Sequence, residues 1–254
     1  MDMTASIRKF IVSLSSSRHR RKEMAFVAEG TKCVSDTIGS FPLRYLVATP
    51  AWADCHEAEC AIAGSRLIVA PHKELERLSG LSCAPEVLAV YDTPRHEFDP
   101  EEANSNLVVA LDGVQDPGNV GTIIRAADWF GVHTVLCSEA TADAYCAKAV
   151  MATMGAISRV RVVRGNLPDM LRGCDCAVMG TFLDGEVIYS ASLPVSGILV
   201  MGNEGKGITD AVAEIVTDRL FIPSYPSGVP TVESLNVGMA ASIALAEFRR
   251  RLIM

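Results

Sequence analysis

The sequence predicts an α/β protein of two domains, the second built on a parallel sheet, and three observations carry that expectation. Short apolar runs alternate with helix-compatible stretches, a polar segment with two prolines divides the chain, and glycine-rich turns follow two of the later apolar runs. A length of 254 residues exceeds one ordinary domain, and 49% apolar with 21% charged residues suits a folded chain with a substantial core.

In chain order, the first residues are basic: Arg8, Lys9, Arg18, Arg20, Arg21, Lys22 and Lys32. Such a run serves equally well as a solvated face or mobile arm and as a nucleic-acid contact. No stretch there is apolar and long enough for a signal peptide or a membrane span, so the expected location is cytoplasmic, with no membrane partner. Next, Tyr45–Ala48, Leu67–Ala70 and Val87–Val90 read as strands between helix-compatible stretches near 31–38 and 73–79, an α/β domain over 1–95. The segment Asp92–Glu102 is polar, holds Pro94 and Pro100 and lacks periodicity, and the linker is placed at 96–105.

The second domain, 106–254, carries continuous apolar runs at Leu107–Leu111, Thr134–Leu136, Ala177–Met179, Gly197–Met201 and Leu220–Ile222. Runs of this kind suit strands buried on both faces, and alternation with helices implies parallel pairing with ligands at the carboxyl ends of the strands. The last helix, about Val237–Leu252, places Val237, Ala241, Ala244, Leu245 and Phe248 on one stripe, has small residues in its first turns and ends in three arginines.

Three loops of this domain carry chemistry. The first, Asp112–Thr122, is a strand–glycine turn–helix passage that exposes backbone N–H groups. It has neither GxGxxG nor GxxxxGK[ST], which argues against a dinucleotide oxidoreductase and a P-loop NTPase. Arg125 follows on the helix, where it could hold a phosphate at the same mouth or form a surface salt bridge. The second loop, Gly202–Ile208, has three glycines that leave room for a flat ligand against bare backbone, and its Glu204 could orient a hydroxyl or cap the next helix. The third, Ile222–Val237, leads into the last helix, with Ser234 a candidate N-cap and Asn236 a candidate ligand contact.

The eight cysteines show no CxxC pair and no four-ligand spacing, and Cys55-His56 with Cys60 lacks a fourth partner, so reduced thiols and no metal are expected. A formal net charge of −7 argues mildly against a surface that wraps a polyanion as a whole and points to a local patch for any nucleic-acid contact.

Taken together and in this order, Asp112-Gly113 to Arg125, Met201-Gly202-Asn203-Glu204-Gly205-Lys206-Gly207, and Ile222-Pro223 with Ser234-Leu235-Asn236-Val237 resemble the three motifs of the SpoU/TrmH branch of the SPOUT methyltransferases. Arg20 to Gly30 resembles the opening of the L30e/L7Ae-like RNA-binding domain often fused to them. The resemblance implies a SPOUT-type α/β domain with a C-terminal trefoil knot, a smaller N-terminal L30e-like domain and a homodimer whose pockets lie against the subunit interface. It implies an S-adenosyl-L-methionine-dependent RNA 2'-O-ribose methyltransferase acting on structured RNA, with ribosomal RNA preferred to tRNA, and a catalytically silent RNA-binding member as the other reading.

Carried over residue by residue, the cofactor pocket would use Thr181, Met201, Gly202, Glu204, Ile222, Leu235 and Asn236. The catalytic surface would use Asn119, Arg125, Glu204, Ser234 and Asn236, with Arg125 able to serve the partner's site, and RNA would meet Arg18, Arg20, Arg21, Lys22 and Arg125. The family usually has Ile-Pro-Met and a shorter loop, whereas this chain has Ile222-Pro223-Ser224 and extra residues before Ser234, so contacts from 224–233 are not carried over.

Overall fold

The computed structural model describes residues 1–81, 83–226, 229 and 231–253. They divide into two compact units, one of Met1–Arg95 with Asp143–Ser158, the other of His96–Ala142 with Arg159–Met254.

The first unit holds a four-stranded sheet of β1 (Ala25–Glu29), β2 (Leu43–Ala48), β3 (Leu67–Val69) and β4 (Val87–Asp92), in the order β1-β4-β2-β3. Strand β4 pairs antiparallel with β1 and β2, and β2 pairs parallel with β3. The helices Ala5–Ser13 and His72–Leu78 bury Ile11, Leu75 and Leu78 in a cluster with Val47, Leu88 and Val90 of the sheet. Phe26, Phe41, Tyr91 and Tyr145 form a second, aromatic cluster with centroids 5.1–5.7 Å apart.

Arg20, expected on an RNA-facing surface, is instead 7% exposed. Its guanidinium pairs with Asp143 at 2.7 Å and donates to the carbonyls of Leu14 and Ser15 at 2.8 and 2.9 Å. A buried guanidinium needs such complete pairing, and this one fixes the 143–158 segment within the first unit. Arg18, Arg21 and Lys22, from the same helix Ser17–Glu23, remain exposed.

The second unit is built on a six-stranded, wholly parallel sheet: β5 (Leu107–Asp112), β6 (Thr134–Ser138), β7 (Arg161–Gly165), β8 (Val178–Val187), β9 (Gly197–Gly202) and β10 (Asp218–Phe221), in the order β10-β8-β9-β5-β6-β7. Central strands β5 and β9 are buried at every position, as continuous apolar runs require. Residues 96–105, expected as a linker, pack onto this unit: Ala103 in the short helix Glu102–Ser105 is fully buried with Phe98 beside its cluster, and Glu102 pairs with Arg161 of β7.

The helices Pro117–Trp129 and Val237–Ile253 pack on each other. All five apolar stripe residues of the latter are buried, and a Cβ on Gly238 would come within 3.2 Å of the Thr122 side chain, so its small first turn does permit a close approach.

The arginines at the helix end do more than complement its dipole. Arg249 donates to the carbonyl of Phe130 at 2.6 Å and Arg251 to that of Ile188 at 2.8 Å, while Arg250 and Arg251 flank the buried Glu247. Hydrogen bonds from Arg250, then Arg251, hold the Glu247 carboxyl down at about 2, from an ordinary 4.5. A carboxyl depressed in the folded state stabilises above its unfolded value and loses that contribution as pH falls through the folded one. Glu247→Gln should therefore unfold at lower urea concentration than wild type at pH 7, and the gap should close between pH 4.5 and about 2. A gap unchanged over that range would remove the assigned role.

Candidate active site

Strands β5 and β9 lie side by side with Asp112 opposite Gly202, so the loops that follow them emerge together at the carboxyl edge of the sheet. The first turns at Gly113, whose φ of +71° favours glycine and whose N–H is shared between the Ser138 and Thr141 hydroxyls at 2.9 and 3.1 Å. Asp116 accepts from the Asn119 N–H at 3.0 Å, and Pro117 stands at the first helical position, so the helix start is capped.

The second loop is closed on itself. Asn203 and Gly207 exchange two backbone hydrogen bonds of 2.9 Å, and the Asn203 Oδ1 accepts from the N–H groups of Gly205 and Lys206 at 3.0 and 2.9 Å. Three hydrogen bonds strap it to the first loop: Asn203 Nδ2 donates to the Gly113 carbonyl at 2.7 Å, and Asp112 Oδ2 accepts from both the N–H and the hydroxyl of Thr209 at 2.7 Å. At 4% exposure, the Asp112 carboxylate depends on those donors to offset its burial.

A chain of side-chain hydrogen bonds crosses this platform. Asn119 Nδ2 donates to Glu204 Oε1 at 2.9 Å, and Asn236 Nδ2 donates to Asn119 Oδ1 at 3.0 Å. Glu204 therefore caps no helix. Nor does Ser234: the last helix starts at Val237, and it is Asn236 whose Oδ1 accepts from the N–H groups of Gly238 and Met239 at 3.0 and 3.2 Å. One asparagine thus caps the helix and anchors the first loop.

Beside this chain opens a pocket of about 510 Å³, within the range of small-molecule sites. Of the residues expected to line a cofactor site, Thr181, Met201, Gly202, Glu204, Ile222 and Leu235 all border it, and Asn236 does not. Ser234, expected on the catalytic surface, borders it as well, and so do Phe182, Leu183, Lys206 and Glu233, to which the sequence assigned no role. Its lining combines apolar side chains with two carboxylates, Glu204 and Glu233, against one ammonium, Lys206, a mixture that suits a ligand joining an aromatic nucleoside to a cationic group, which is the chemistry of S-adenosylmethionine.

Arg125 lies outside this pocket. It is exposed on the helix Pro117–Trp129 and makes no hydrogen bond or ion pair with any described residue. The exposed bases Arg18, Arg21 and Lys22 lie in the other unit. Among the described residues no group of three potential metal ligands occurs, and no helix is long and apolar enough to cross a membrane.

Asp112, Asn203 and Asp116 hold the platform, a role the sequence assigned to none of them, although Asp112 and Asn203 stand in the motifs that carry the resemblance. Only the Asp116-Pro117 pair carries a readable signal, that of a capped helix start.

Comparison with known proteins bears on what this site is. Residues 106–246 match the SpoU rRNA Methylase family, and residues 6–89 match the MRM3-like substrate binding domain. The 23S rRNA (guanosine(2553)-2'-O)-methyltransferase RlmP of Bacillus subtilis is 39% identical over 157 residues, 59% of this chain and 61% of that protein, so the alignment spans about three fifths of this relative. Among solved structures, a TrmH-family protein from Porphyromonas gingivalis is 40% identical with a TM-score of 0.86, covering 98% of this chain and 99% of its own. An AdoMet-bound rRNA methyltransferase from Sinorhizobium meliloti is 27% identical with a TM-score of 0.87, covering 100% and 99%.

Proposed function

The chain belongs to the SpoU rRNA methylase family, with the α/β fold of the SPOUT class, and we propose that it transfers the methyl group of S-adenosyl-L-methionine to a ribose 2'-hydroxyl of ribosomal RNA. The observation that carries the reading is the pocket at the ends of β5 and β9, bordered by the glycine loop and by the Ser234-Leu235 segment, with the Glu204–Asn119–Asn236 chain beside it.

When bound, the cofactor supplies a methyl group on a sulfonium, an electrophile that must be met in line by an activated oxygen. The protein's own tasks are to position that oxygen and to stabilise the charge it develops as its proton leaves. Thr181, Met201, Gly202, Ile222 and Leu235 hold the cofactor, and Glu204 balances its positive charge. Asn119 and Asn236 lock the two loops in register, and Ser234 orients the reacting groups. Arg125 stabilises the developing alkoxide or grips the adjacent phosphate. A guanidinium holds its proton above pH ~12, which makes it a poor literal base.

Arg125 reaches a pocket in a second copy of the chain. Support comes from the helix pair it stands on: Trp129, one turn after Arg125 on the same helix, is 84% exposed, and Met239 on the packed C-terminal helix is 60% exposed, so this pair of helices presents large apolar side chains together with a cation that pairs with no described residue. The assembly is a cytoplasmic homodimer formed through these helices, needing no metal, and Arg18, Arg21 and Lys22 of the substrate-binding unit contact structured RNA.

The test supplies methyl-labelled S-adenosylmethionine and separated ribosomal and transfer RNA from cells lacking this protein. Label entering ribosomal RNA is the expected result. Label confined to tRNA would move the substrate, and cofactor binding without transfer to any RNA would leave a silent RNA-binding member of the fold.

A further inference from the structure

Strand β8 leaves its partner for part of its length. Arg219 of β10 pairs with Gly180, yet the next residue, Leu220, pairs with Glu186, so residues 181–185 bulge out of the ladder. Three of them, Thr181, Phe182 and Leu183, form a wall of the 510 Å³ pocket, and Leu183 is 76% exposed at its rim.

A five-residue excursion with no ladder bonds to β10 should be floppy unless something holds it. Arg219 holds it at three points. Its guanidinium carbon lies 3.6 Å from the centre of the Phe182 ring, its Nε and Nη2 both donate to Asp184 Oδ1, at 3.2 and 2.5 Å, and its backbone abuts Gly185. A Cβ on Gly185 would sit 2.6 Å from the carbonyl carbon and oxygen of Arg219, so only glycine permits this contact. The planar, forked guanidinium suits the arrangement, because it can lie on a ring and grip a carboxylate at once.

We infer that Arg219 is a positioning residue for the cofactor: by stapling the 181–185 bulge through Phe182 and Asp184 it presets the pocket wall, and so sets the affinity for S-adenosylmethionine without entering the methyl-transfer step. The inference rests on the cofactor reading above. A preset wall lowers the cost of ordering on binding, so its loss should appear in affinity and leave the chemistry of the bound state intact.

The experiment measures S-adenosylhomocysteine binding by calorimetry, and the KM for S-adenosylmethionine and kcat with RNA substrate, for wild type, Arg219→Ala, Arg219→Lys and Phe182→Leu. Arg219→Ala should raise both the Kd and the KM by roughly fivefold, with kcat at saturating cofactor within about twofold of wild type. Arg219→Lys should recover only part of the loss, because an ammonium cannot lie flat and fork, and Phe182→Leu should shift affinity in the same direction. A merely structural role would lower thermal stability without splitting KM from kcat. An Arg219→Ala protein with wild-type Kd, or one that loses kcat and keeps its KM, overturns the inference. Wild-type protein that fails to bind S-adenosylhomocysteine overturns the cofactor reading itself, and the staple's role falls with it.

Discussion

Replacing Arg125 by alanine should lower methyl-transfer turnover by about 10²–10³-fold while leaving cofactor affinity within about twofold of wild type. Arg125 is exposed, bonded to no described residue and outside the pocket, so its removal should cost little stability and leave the cofactor's contacts in place. Its permanent charge would be felt only as the ribose oxygen becomes anionic, the condition under which an interaction raises kcat rather than ground-state binding. Steady-state kinetics at saturating cofactor, with calorimetric binding alongside, separate the two quantities. Equal losses in both would place Arg125 in cofactor binding instead. Since the proposal puts Arg125 in the partner's site, mixing Arg125→Ala with a pocket-dead variant should restore activity in the hybrid dimer, and a hybrid as inactive as its parents would argue against a shared site.

Gly202→Ala supplies such a pocket-dead partner and should itself weaken cofactor binding by roughly 100-fold, on the scale of losses from misplacing a site by about 1 Å. A Cβ there would sit 2.4 Å from the Gly207 carbonyl carbon and 2.5 Å from the Ile208 nitrogen, both backbone atoms that cannot swing aside. The 203–207 loop would have to move, straining the Asn203–Gly207 bridge and the strap from Asn203 to Gly113. Gly205→Ala is the control, since its Cβ would find only the Asn203 Oδ1 at 3.8 Å and its φ is not positive. Titration with S-adenosylhomocysteine should find Gly205→Ala close to wild type and Gly202→Ala severely impaired. Similar affinities for the two would mean that the loop geometry does not set the pocket.

The sequence made the sheet of the second unit legible wherever a strand is buried on both faces. Runs such as Leu107–Leu111 and Gly197–Met201 are continuous because every position is enclosed. β7 escaped notice because it lies at the sheet edge, with Arg161 and Arg164 exposed around only two buried valines. β1, Ala25–Glu29, was hidden in a different way: it is short and sits directly after a basic helix, so its residues read as part of a motif.

What failed most instructively was local inference about polar residues. Ser234 looked like the cap because serine favours that position, but the helix starts at Val237 and Asn236 takes the role while its amide also donates to Asn119, 117 residues away in the chain. Arg20 belongs to a basic run yet is buried, because its partner Asp143 lies 123 residues away and nothing in the spacing announces it. The straps from Asp112 and Asn203 are likewise long-range, spanning 97 and 90 residues. As for the knot, general folding rules argue against threading a chain, and the expectation of it came from family resemblance alone.

The most direct test of the central claim is where on the nucleotide the methyl group lands. RNA labelled by the protein with methyl-tritiated S-adenosylmethionine is hydrolysed in alkali, which requires a free 2'-hydroxyl, and the products are sized. Transfer to a ribose 2'-hydroxyl should leave the label in alkali-resistant dinucleotides that yield a 2'-O-methylnucleoside on enzymatic digestion. Label released entirely as mononucleotides would place the methyl group on a base and contradict it.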